Sequence, residues 1–357
     1  MKRYFAAVLA LILCICLCGC DFWLQDTYVS VKPFQVQNEE VGNEAITADS
    51  YMGVRDALKE IVEGCQQSAV ILVPTLDEKT ADYYMTAALN YIVKNNAIGA
   101  YAVDEISYEI GTNAGELAIA LDITYNYNRI EILRIVHTNM DTAIGMIQES
   151  LRQYDADITV YIEDFDDVDL VQMVQDYVDG NPHLCMEMPQ VTAAVYPETG
   201  DERVVVLTFT YRNSREVLRS MQDNVQDTFK HMKIEGETLL EKYSGLYTFL
   251  MDRHEYILET SITPSYSLLR YGMGDSKAFA TVYAAMCKQL NLDCQVVSGT
   301  KDGEAWYWNI IETGEAIYHL DLLQCRQNGG FYFLDESQMT GYVWDYSAYG
   351  ASNEDEP

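Results

Sequence analysis

The sequence predicts an α+β fold in which two tandem α+β repeat modules precede a C-terminal α+β domain. Three observations lead to this prediction. Residues 51–237 contain an internal repeat, each copy alternates short apolar strands with amphipathic helices, and the pattern changes after residue 237. The predicted ranges are 51–151 for the first module, 152–237 for the second and 238–357 for the C-terminal domain.

The internal repeat consists of matching residues at a constant offset of 86 positions, as between Thr124 and Thr210. The other matched pairs are Tyr91 and Tyr177, Asn95 and Asn181, Tyr125 and Tyr211, Arg129 and Arg215, and Ile132 and Leu218. A constant offset over several pairs is the sequence signature of a duplicated structural unit. We therefore expect the two modules to have the same secondary structure.

Each module begins with a short apolar strand, at 69–73 and at 158–162, which an acidic helix follows. A strand of alternating polarity comes next. In this strand Leu117, Ile119, Leu121 and Ile123 of the first module correspond to Arg203, Val205, Leu207 and Phe209 of the second. Strict alternation predicts antiparallel strands with one covered face. A further helix is predicted to begin after Asn128 and after Ser214, because both are good N-cap residues.

The first 19 residues have the pattern of a lipoprotein signal peptide. Lys2 and Arg3 precede an apolar run that ends in Leu17-Cys18-Gly19-Cys20. This ending resembles a bacterial lipobox, which implies that Cys20 is acylated and becomes the first mature residue. Acyl chains on Cys20 would hold the protein at the outer face of the cell membrane, with residues 20–50 as a tether. An ordinary signal peptide that happens to contain cysteines is the alternative.

The charge and the cysteines exclude several classes of function. The formal net charge of −32 makes a surface that repels nucleic acid, so we expect no nucleic-acid partner. Beyond the signal peptide and Cys20, the remaining cysteines are Cys65, Cys185, Cys287, Cys294 and Cys325. Their odd number and wide spacing argue against a disulfide framework and against a zinc site. We expect no metal and no cofactor.

The C-terminal part opens with a long amphipathic helix, predicted over 236–259, and continues with a series of short motifs. The motifs are Phe279-Ala280, Leu292-Asp293-Cys294, Val297-Ser298-Gly299, Trp308-Asn309 and Tyr318-His319-Leu320-Asp321. Their order resembles the transglutaminase-like (papain-like) superfamily, over roughly 238–350. The resemblance implies an acyl-transfer centre with a thiol at a helix N-terminus, an imidazole that moves protons and a carboxylate that orients the imidazole.

Two of the three catalytic positions differ from this pattern. The nucleophile position falls on Ser276 and the His position on Trp306, whereas the Asp position is retained as Asp321. An alternative register puts the His position at Glu304, so neither register supplies an imidazole. The pKa of a serine hydroxyl is also far above that of a cysteine thiol, and a helix dipole alone does not ionise it. The sequence therefore predicts a pseudoenzyme with a degenerate catalytic centre.

The predicted function is binding or scaffolding at the cell surface. The candidate cleft consists of Trp306, Trp308, Asn309 and His319, because aromatic faces stack on sugars and on apolar side chains. Candidate partners, besides the membrane, are a cell-wall peptide or glycan and another surface protein. One alternative is a serine-variant peptidase or acyltransferase, acting on cell-wall or surface peptides, with His319 or His254 as the base. Another is that the repeat modules bind the partner and the C-terminal domain is structural only.

Replacing Cys20 by Ala is expected to move the protein from the membrane to the soluble extracellular fraction, because the residue that would carry the acyl chains is lost. The measurement is fractionation of cells followed by immunoblotting. Cys14→Ala is the matched control, since it removes a thiol that the lipobox does not use. Unchanged membrane association of Cys20→Ala would contradict the lipid anchor.

Overall fold

The computed structural model describes residues 46–252, 254–313 and 316–349. The predicted signal peptide, Cys20 and most of the predicted tether lie outside these residues. Across the described ranges, no helix has both the length and the apolar character needed to span a membrane. Helices and strands are mixed along the chain, and the strands form three four-stranded sheets and one two-stranded ribbon within the described residues. The predicted α+β class is confirmed.

The first sheet has the strand order β1-β2-β4-β3. Its strands are β1 (Ile46–Thr47), β2 (Ser68–Leu72), β3 (Val103–Asn113) and β4 (Glu116–Tyr125). The edge strand β1 is parallel to β2, and the other neighbours are antiparallel. Three helices of this part of the chain pack in the core of the sheet, which also takes Ile132 from the short helix that follows β4. They are α1 (Tyr51–Glu63), α2 (Glu78–Asn95) and α3 (Ala97–Ala102).

The second sheet has the same arrangement, with the order β5-β6-β8-β7 and a parallel pair at one edge. Its strands are β5 (Val136–Thr138), β6 (Asp157–Ile162), β7 (Gln190–Tyr196) and β8 (Arg203–Thr210). A short helix, α4 (Arg129–Leu133), precedes β5. The helices that follow are α5 (Met140–Gln153), α6 (Leu170–Gly180) and α7 (Arg215–His231).

The alternating polarity of β4 and β8 places one face of each strand in a core. The buried positions are Ile119, Leu121 and Ile123 of β4 and Val205, Leu207 and Phe209 of β8. Of the residues between them, Asp122 and Thr208 are exposed, whereas Val206 is half-buried. Both strands lie between antiparallel neighbours, which confirms that prediction. Asn128 and Ser214 cap α4 and α7, also as predicted.

Two helices pack outside the ranges that the sequence assigns to them. Helix α5 lies in the range of the first module, yet its buried Ile147 and Leu151 pack in the core of the second sheet. Helix α7 lies in the range of the second module, yet Leu218 and Val225 pack in the core of the C-terminal domain. The domain ranges stay a prediction, and α7 joins the second sheet to the domain that follows it.

The C-terminal domain contains an antiparallel sheet of order β13-β12-β11-β14 and a short parallel ribbon of β9 and β10. The strands are β9 (Glu255–Tyr256), β10 (Met273–Gly274), β11 (Gln295–Lys301), β12 (Glu304–Glu312), β13 (Ile317–Leu320) and β14 (Tyr342–Trp344). The helices are α8 (Leu239–Met251), α9 (Pro264–Tyr266), α10 (Ser276–Gln289) and α11 (Leu322–Gln327), and Ser267–Tyr271 forms a π-helical turn.

This sheet has a separate core on each face. Side chains alternate along β12, so that Asn309 and Ile311 face the helices, whereas Trp308 and Ile310 face an aromatic cluster with Trp344. The domain is therefore layered, with helices α8 and α10 on one side of the sheet and aromatic rings on the other.

The helix predicted over 236–259 is shorter in the structure, which is a correction. Helix α8 begins directly after its N-cap residue Thr238, which forms a capping box with Glu241, and ends at Met251. Residues Glu255 and Tyr256 instead form β9 and pair with β10. The physical reason is the long-range pairing with β10, which competes with continuation of the helix and cannot be read from local periodicity.

Candidate functional site

Ser276 is the first residue of helix α10, as expected for the nucleophile position. The preceding residue, Asp275, is the N-cap, and its Oδ1 accepts a hydrogen bond from Ala278 N at 2.9 Å. Ser276 is only 7% exposed. Among the described residues, no side chain makes a hydrogen bond with its hydroxyl, so no imidazole is bonded to Ser276 in the way that general-base activation of a serine requires.

The next residue, Lys277, connects α10 to the second sheet's helices. Its Nζ makes an ion pair with Asp179 Oδ2 of α6 at 2.7 Å. The same ammonium lies 5.6 Å from the ring centroid of Tyr307 on β12. The N-terminal turn of α10 is therefore held from both sides, by α6 and by the C-terminal sheet.

Asp321 is the centre of a buried hydrogen-bond network. It is 1% exposed and lies between β13 and α11. Its Oδ1 accepts from the backbone N–H groups of Leu323 and Gln324 at 2.9 and 3.0 Å, so the carboxylate is also the N-cap of α11. Its Oδ2 accepts from Trp306, Lys301 and Tyr342, which belong to three different strands. Every oxygen of this buried carboxylate therefore has donors.

Trp306 lies beside Asp321, at the position where the resemblance to the transglutaminase-like superfamily implies an imidazole. Its indole Nε1–H donates to Asp321 Oδ2 at 2.9 Å. Its ring lies 5.5 Å from that of Tyr256 on β9, and the Lys301 ammonium lies 5.1 Å from its centroid. The side chain of Trp306 therefore bonds to the carboxylate as a protonated imidazole nitrogen would. An indole offers only this donor and no basic nitrogen.

Lys301, Gln324 and Tyr342 are members of this network that sequence reasoning missed. Lys301 Nζ lies 3.2 Å from Asp321 Oδ2 and donates to Gln324 Oε1 at 2.8 Å. Tyr342 donates to Asp321 Oδ2 at 2.6 Å, and burial, followed by the Asp321 charge, raises the pKa of its hydroxyl well above the usual range. No local signal points to these residues, because their approach depends on the pairing of β11 with β14.

Gly299 is the one position in this network where close approach requires a glycine. A Cβ atom there would lie 2.3 Å from the carbonyl oxygen of Val343 and 2.8 Å from Cη2 of Trp308. Both neighbours are fixed parts of the sheet, so a side chain would displace β14. The glycine of the Val297-Ser298-Gly299 motif thereby allows Tyr342 to reach Asp321.

His319 lies against the aromatic cluster on the face of the sheet opposite helices α8 and α10. It is 4% exposed, and its Nδ1 accepts a hydrogen bond from Trp308 Nε1 at 3.0 Å. Its ring lies 4.9 Å from Trp344. Burial lowers the pKa of His319 to about 4, so the imidazole is neutral at physiological pH. A base of this pKa binds a proton weakly at pH 7.

Asn309 belongs to the framework of the domain. It is fully buried, and its Nδ2 donates to the carbonyl oxygen of Ala280 in α10 at 3.0 Å. Of the predicted cleft residues, Trp308, Asn309 and His319 are all buried, while Trp306 is half-buried. Only Trp306 among the four therefore has appreciable surface that a ligand can touch, and its role in a cleft stays a prediction.

His254, the other histidine considered as a base, lies beyond the end of α8 and not on that helix. It is buried, and its carbonyl oxygen accepts a hydrogen bond from the Arg326 guanidinium of α11. The segment around it is held by the pairing of β9 with β10, where Glu255 N donates to the carbonyl oxygen of Gly272 at 2.6 Å.

Replacing Asp321 by Asn is expected to lower the free energy of unfolding by about 3 kcal/mol, because the Lys301 ammonium would lose its buried counter-charge. Urea unfolding followed by tryptophan fluorescence measures the change. Glu304→Gln is the matched control, since it removes an exposed carboxylate from the same sheet and is expected to change stability by less than about 0.5 kcal/mol. Equal stabilities of the two variants would show that the network does not stabilise the domain.

Replacing His319 by Asn is expected to remove part of the acid sensitivity of folding. The folded-state pKa of about 4 lies below the ordinary value of 6.5, so the unfolded chain binds the proton more readily. This contribution to stability is present above pH 6.5 and is lost as the pH falls towards 4, by about 3 kcal/mol in total. An amide oxygen at residue 319 accepts from Trp308 without titrating.

The measurement compares urea unfolding of the wild type and of His319→Asn at several pH values between 4 and 7.5. The wild type should lose more stability on acidification than the variant. If acidification lowered the free energy of unfolding by the same amount in both proteins, the lowered pKa of His319 would be contradicted.

A family model described as the transglutaminase-like superfamily matches residues 228–346. The matched range contains Ser276, Trp306 and Asp321 together with the third sheet. No curated protein matches the chain.

Solved structures with some likeness to the chain include a TGase at 9% identity, with a TM-score of 0.26 and coverage of 53% of this chain and 58% of that one. A protein from Cytophaga hutchinsonii described as a cysteine protease has 14% identity, a TM-score of 0.25 and coverage of 43% and 70%. One from Parabacteroides distasonis described as a protease has 8% identity, a TM-score of 0.21 and coverage of 71% and 39%. The chain thus spans less than two thirds of the first of these.

The family model covers the helix that begins at Ser276, the strand that holds Trp306 and the turn that holds Asp321. Residues 228–346 of this chain form a transglutaminase-like domain.

Proposed function

We propose that the transglutaminase-like domain is not catalytic, and that the protein is a lipid-anchored binding or scaffolding protein at the outer face of the cell membrane. The observation that carries most weight is the hydrogen bond from Trp306 Nε1 to Asp321 Oδ2 at 2.9 Å. It commits the retained acidic residue to an indole, which has no nitrogen lone pair available to accept a proton. A residue that only donates cannot serve as a general base.

The serine at the nucleophile position supports the same proposal. Ser276 is nearly buried and begins α10 directly after its N-cap residue. A serine attacks a carbonyl carbon only when a base removes its proton, and it needs a base with a pKa near the working pH. His319 is a poor candidate, because its Nδ1 is bonded to Trp308 and its pKa is lowered to about 4.

The polar groups of the former catalytic centre have structural roles that explain their presence. Asp321 caps α11 and bonds to three strands, and Asp275 caps α10. Lys277, beside Ser276, joins α10 to α6. These structural contacts account for the residue types at these positions. No catalytic step is needed to explain them.

The proposed location depends on the N-terminal sequence. The basic start, the apolar run and Leu17-Cys18-Gly19-Cys20 favour a signal peptide with an acylated Cys20. The sequence up to β1 would then act as a tether, and the two repeat modules would separate the transglutaminase-like domain from the membrane. A cell-wall peptide or glycan, or another surface protein, is the proposed partner.

The wild-type protein is expected to hydrolyse amides and to transfer amines no faster than the Ser276→Ala variant. The assay follows incorporation of a fluorescent amine into a glutamine-containing peptide, and cleavage of that peptide, by mass spectrometry. Papain is the positive control for cleavage, and a transglutaminase is the control for transfer. Turnover by the wild type that Ser276→Ala abolishes would overturn the proposal and favour the serine-variant peptidase or acyltransferase.

A binding measurement tests the proposed role in binding at the cell surface. The full-length protein in detergent is incubated with purified cell-wall sacculi and sedimented. Co-sedimentation that is equal for wild type and Ser276→Ala is the expected result. Absence of binding, with the protein also failing to bind any surface-protein fraction, would contradict a binding role.

A further inference from the structure

An open groove of about 1260 Å³ lies along the exposed side of helix α8. None of Ser276, Trp306 and Asp321 lines it. Its lining consists of the segment between α7 and α8, the outward residues of α8 and three consecutive aromatic residues. The lining residues that would contact a ligand include Glu235, Glu237, Leu240, Phe249, Phe331 and Phe333. We call this surface the α8 groove.

One wall of the α8 groove is the segment between α7 and α8, which lies directly on α8. A Cβ atom at Gly245 of α8 would lie 2.7 Å from Cγ2 of Ile234, so the Ile234 side chain packs directly on the backbone of α8 at this point. Glu241 holds the same segment by accepting hydrogen bonds from the backbone N–H groups of Glu237 and Thr238 at 2.8 and 3.0 Å. The wall is therefore packed and hydrogen-bonded.

The opposite wall consists of aromatic rings that are supported from the core. Phe331 and Phe333 contact each other edge to face at 5.1 Å between centroids. Behind them, the buried Tyr247 lies 5.6 Å from Phe331, and the buried Tyr243 lies 6.0 Å from Phe333. Phe331 and Phe333 are themselves half-buried, so they offer part of their surface to the groove.

The charged residues at the rim of the groove are predominantly acidic. Glu235, Glu237 and Glu241 supply three carboxylates, against the single ammonium of Lys233. Glu241 is engaged in capping α8, which leaves the exposed Glu235 and Glu237 to face a partner. The whole chain also has a net charge of −32, so its field attracts cations and repels anions.

The size of the α8 groove and its exposed apolar side chains indicate an extended partner. Small-molecule pockets usually have volumes of about 300–1,000 Å³, which this open groove exceeds. Leu240 is 56% exposed at its edge and lines the same groove as Phe249, Phe331 and Phe333, so these side chains form an apolar patch, which is a typical interaction surface. A polypeptide segment with apolar and cationic side chains would cover Leu240 and neutralise the rim.

We propose that the α8 groove binds a cationic peptide segment, with an Arg or Lys side chain over Phe331 and Phe333 and its charge paired with Glu235 and Glu237. Cations are attracted to aromatic faces and to carboxylates, so both walls favour the same partner. The apolar side chains of the segment contact Leu240 and Phe249. This inference concerns a surface without residues of the former catalytic centre, and it does not depend on the proposed function.

The test is fluorescence anisotropy with the full-length protein in detergent and a short labelled peptide of Arg, Leu and Gly. A peptide with Glu in place of Arg and an oligosaccharide of N-acetylglucosamine are the competing probes. The groove variant is Glu235→Lys with Glu237→Lys. The matched control is Glu105→Lys with Glu109→Lys, which makes the same change in net charge at exposed positions of β3.

The Arg peptide is expected to bind the wild type, with weaker binding at high salt. The groove variant should lose about tenfold in affinity, and the β3 control should lose much less. Leu240→Ser, a change at an exposed position, should also weaken binding.

Equal losses in the groove variant and the control would overturn the proposal, because the attraction would then come from net charge alone. Binding of the Glu peptide as tight as that of the Arg peptide, binding of the oligosaccharide alone, or no binding of any probe would each overturn it as well.

Discussion

The buried carboxylate of Asp321 is the interaction on which the architecture of the C-terminal domain depends. It follows β13, caps α11 and accepts hydrogen bonds from β11, β12 and β14 through Lys301, Trp306 and Tyr342. A buried charge without partners costs several kcal/mol, so these elements must be placed where their donors reach it. The position of one side chain therefore constrains all four strands of the sheet and one helix.

This constraint gives Asp321 a reason to be present that does not involve chemistry. In the resemblance to the transglutaminase-like superfamily, an Asp at this position orients an imidazole. Here the partner is the indole of Trp306, which makes the corresponding hydrogen bond but accepts no proton. The carboxylate oxygen that bonds to the indole also accepts from Lys301 and Tyr342, so its hydrogen bonds belong to the framework of the sheet.

The domain is also continuous with the modules that precede it. Helix α7 contributes Leu218 and Val225 to the core of the C-terminal domain, and Lys277 bonds to Asp179 of α6. The segment that forms one wall of the α8 groove follows α7 directly. A partner in the groove would therefore contact the connection between the second sheet and the transglutaminase-like domain, and not an isolated surface of either.

The sequence by itself determined the α+β class and the inward face of β4 and β8. It also determined the caps at Asn128 and Ser214 and the family of the C-terminal domain. These features could be predicted because periodicity, capping and motif order are local properties of the chain. Tertiary structure alone decided where α8 ends, since pairing of β9 with β10 competes with the helix. It also decided that His319 is buried beside Trp308, and that Lys301 and Tyr342 meet at Asp321. Those contacts join residues that are distant in the chain, and strand pairing, which has no local signal, brings them together.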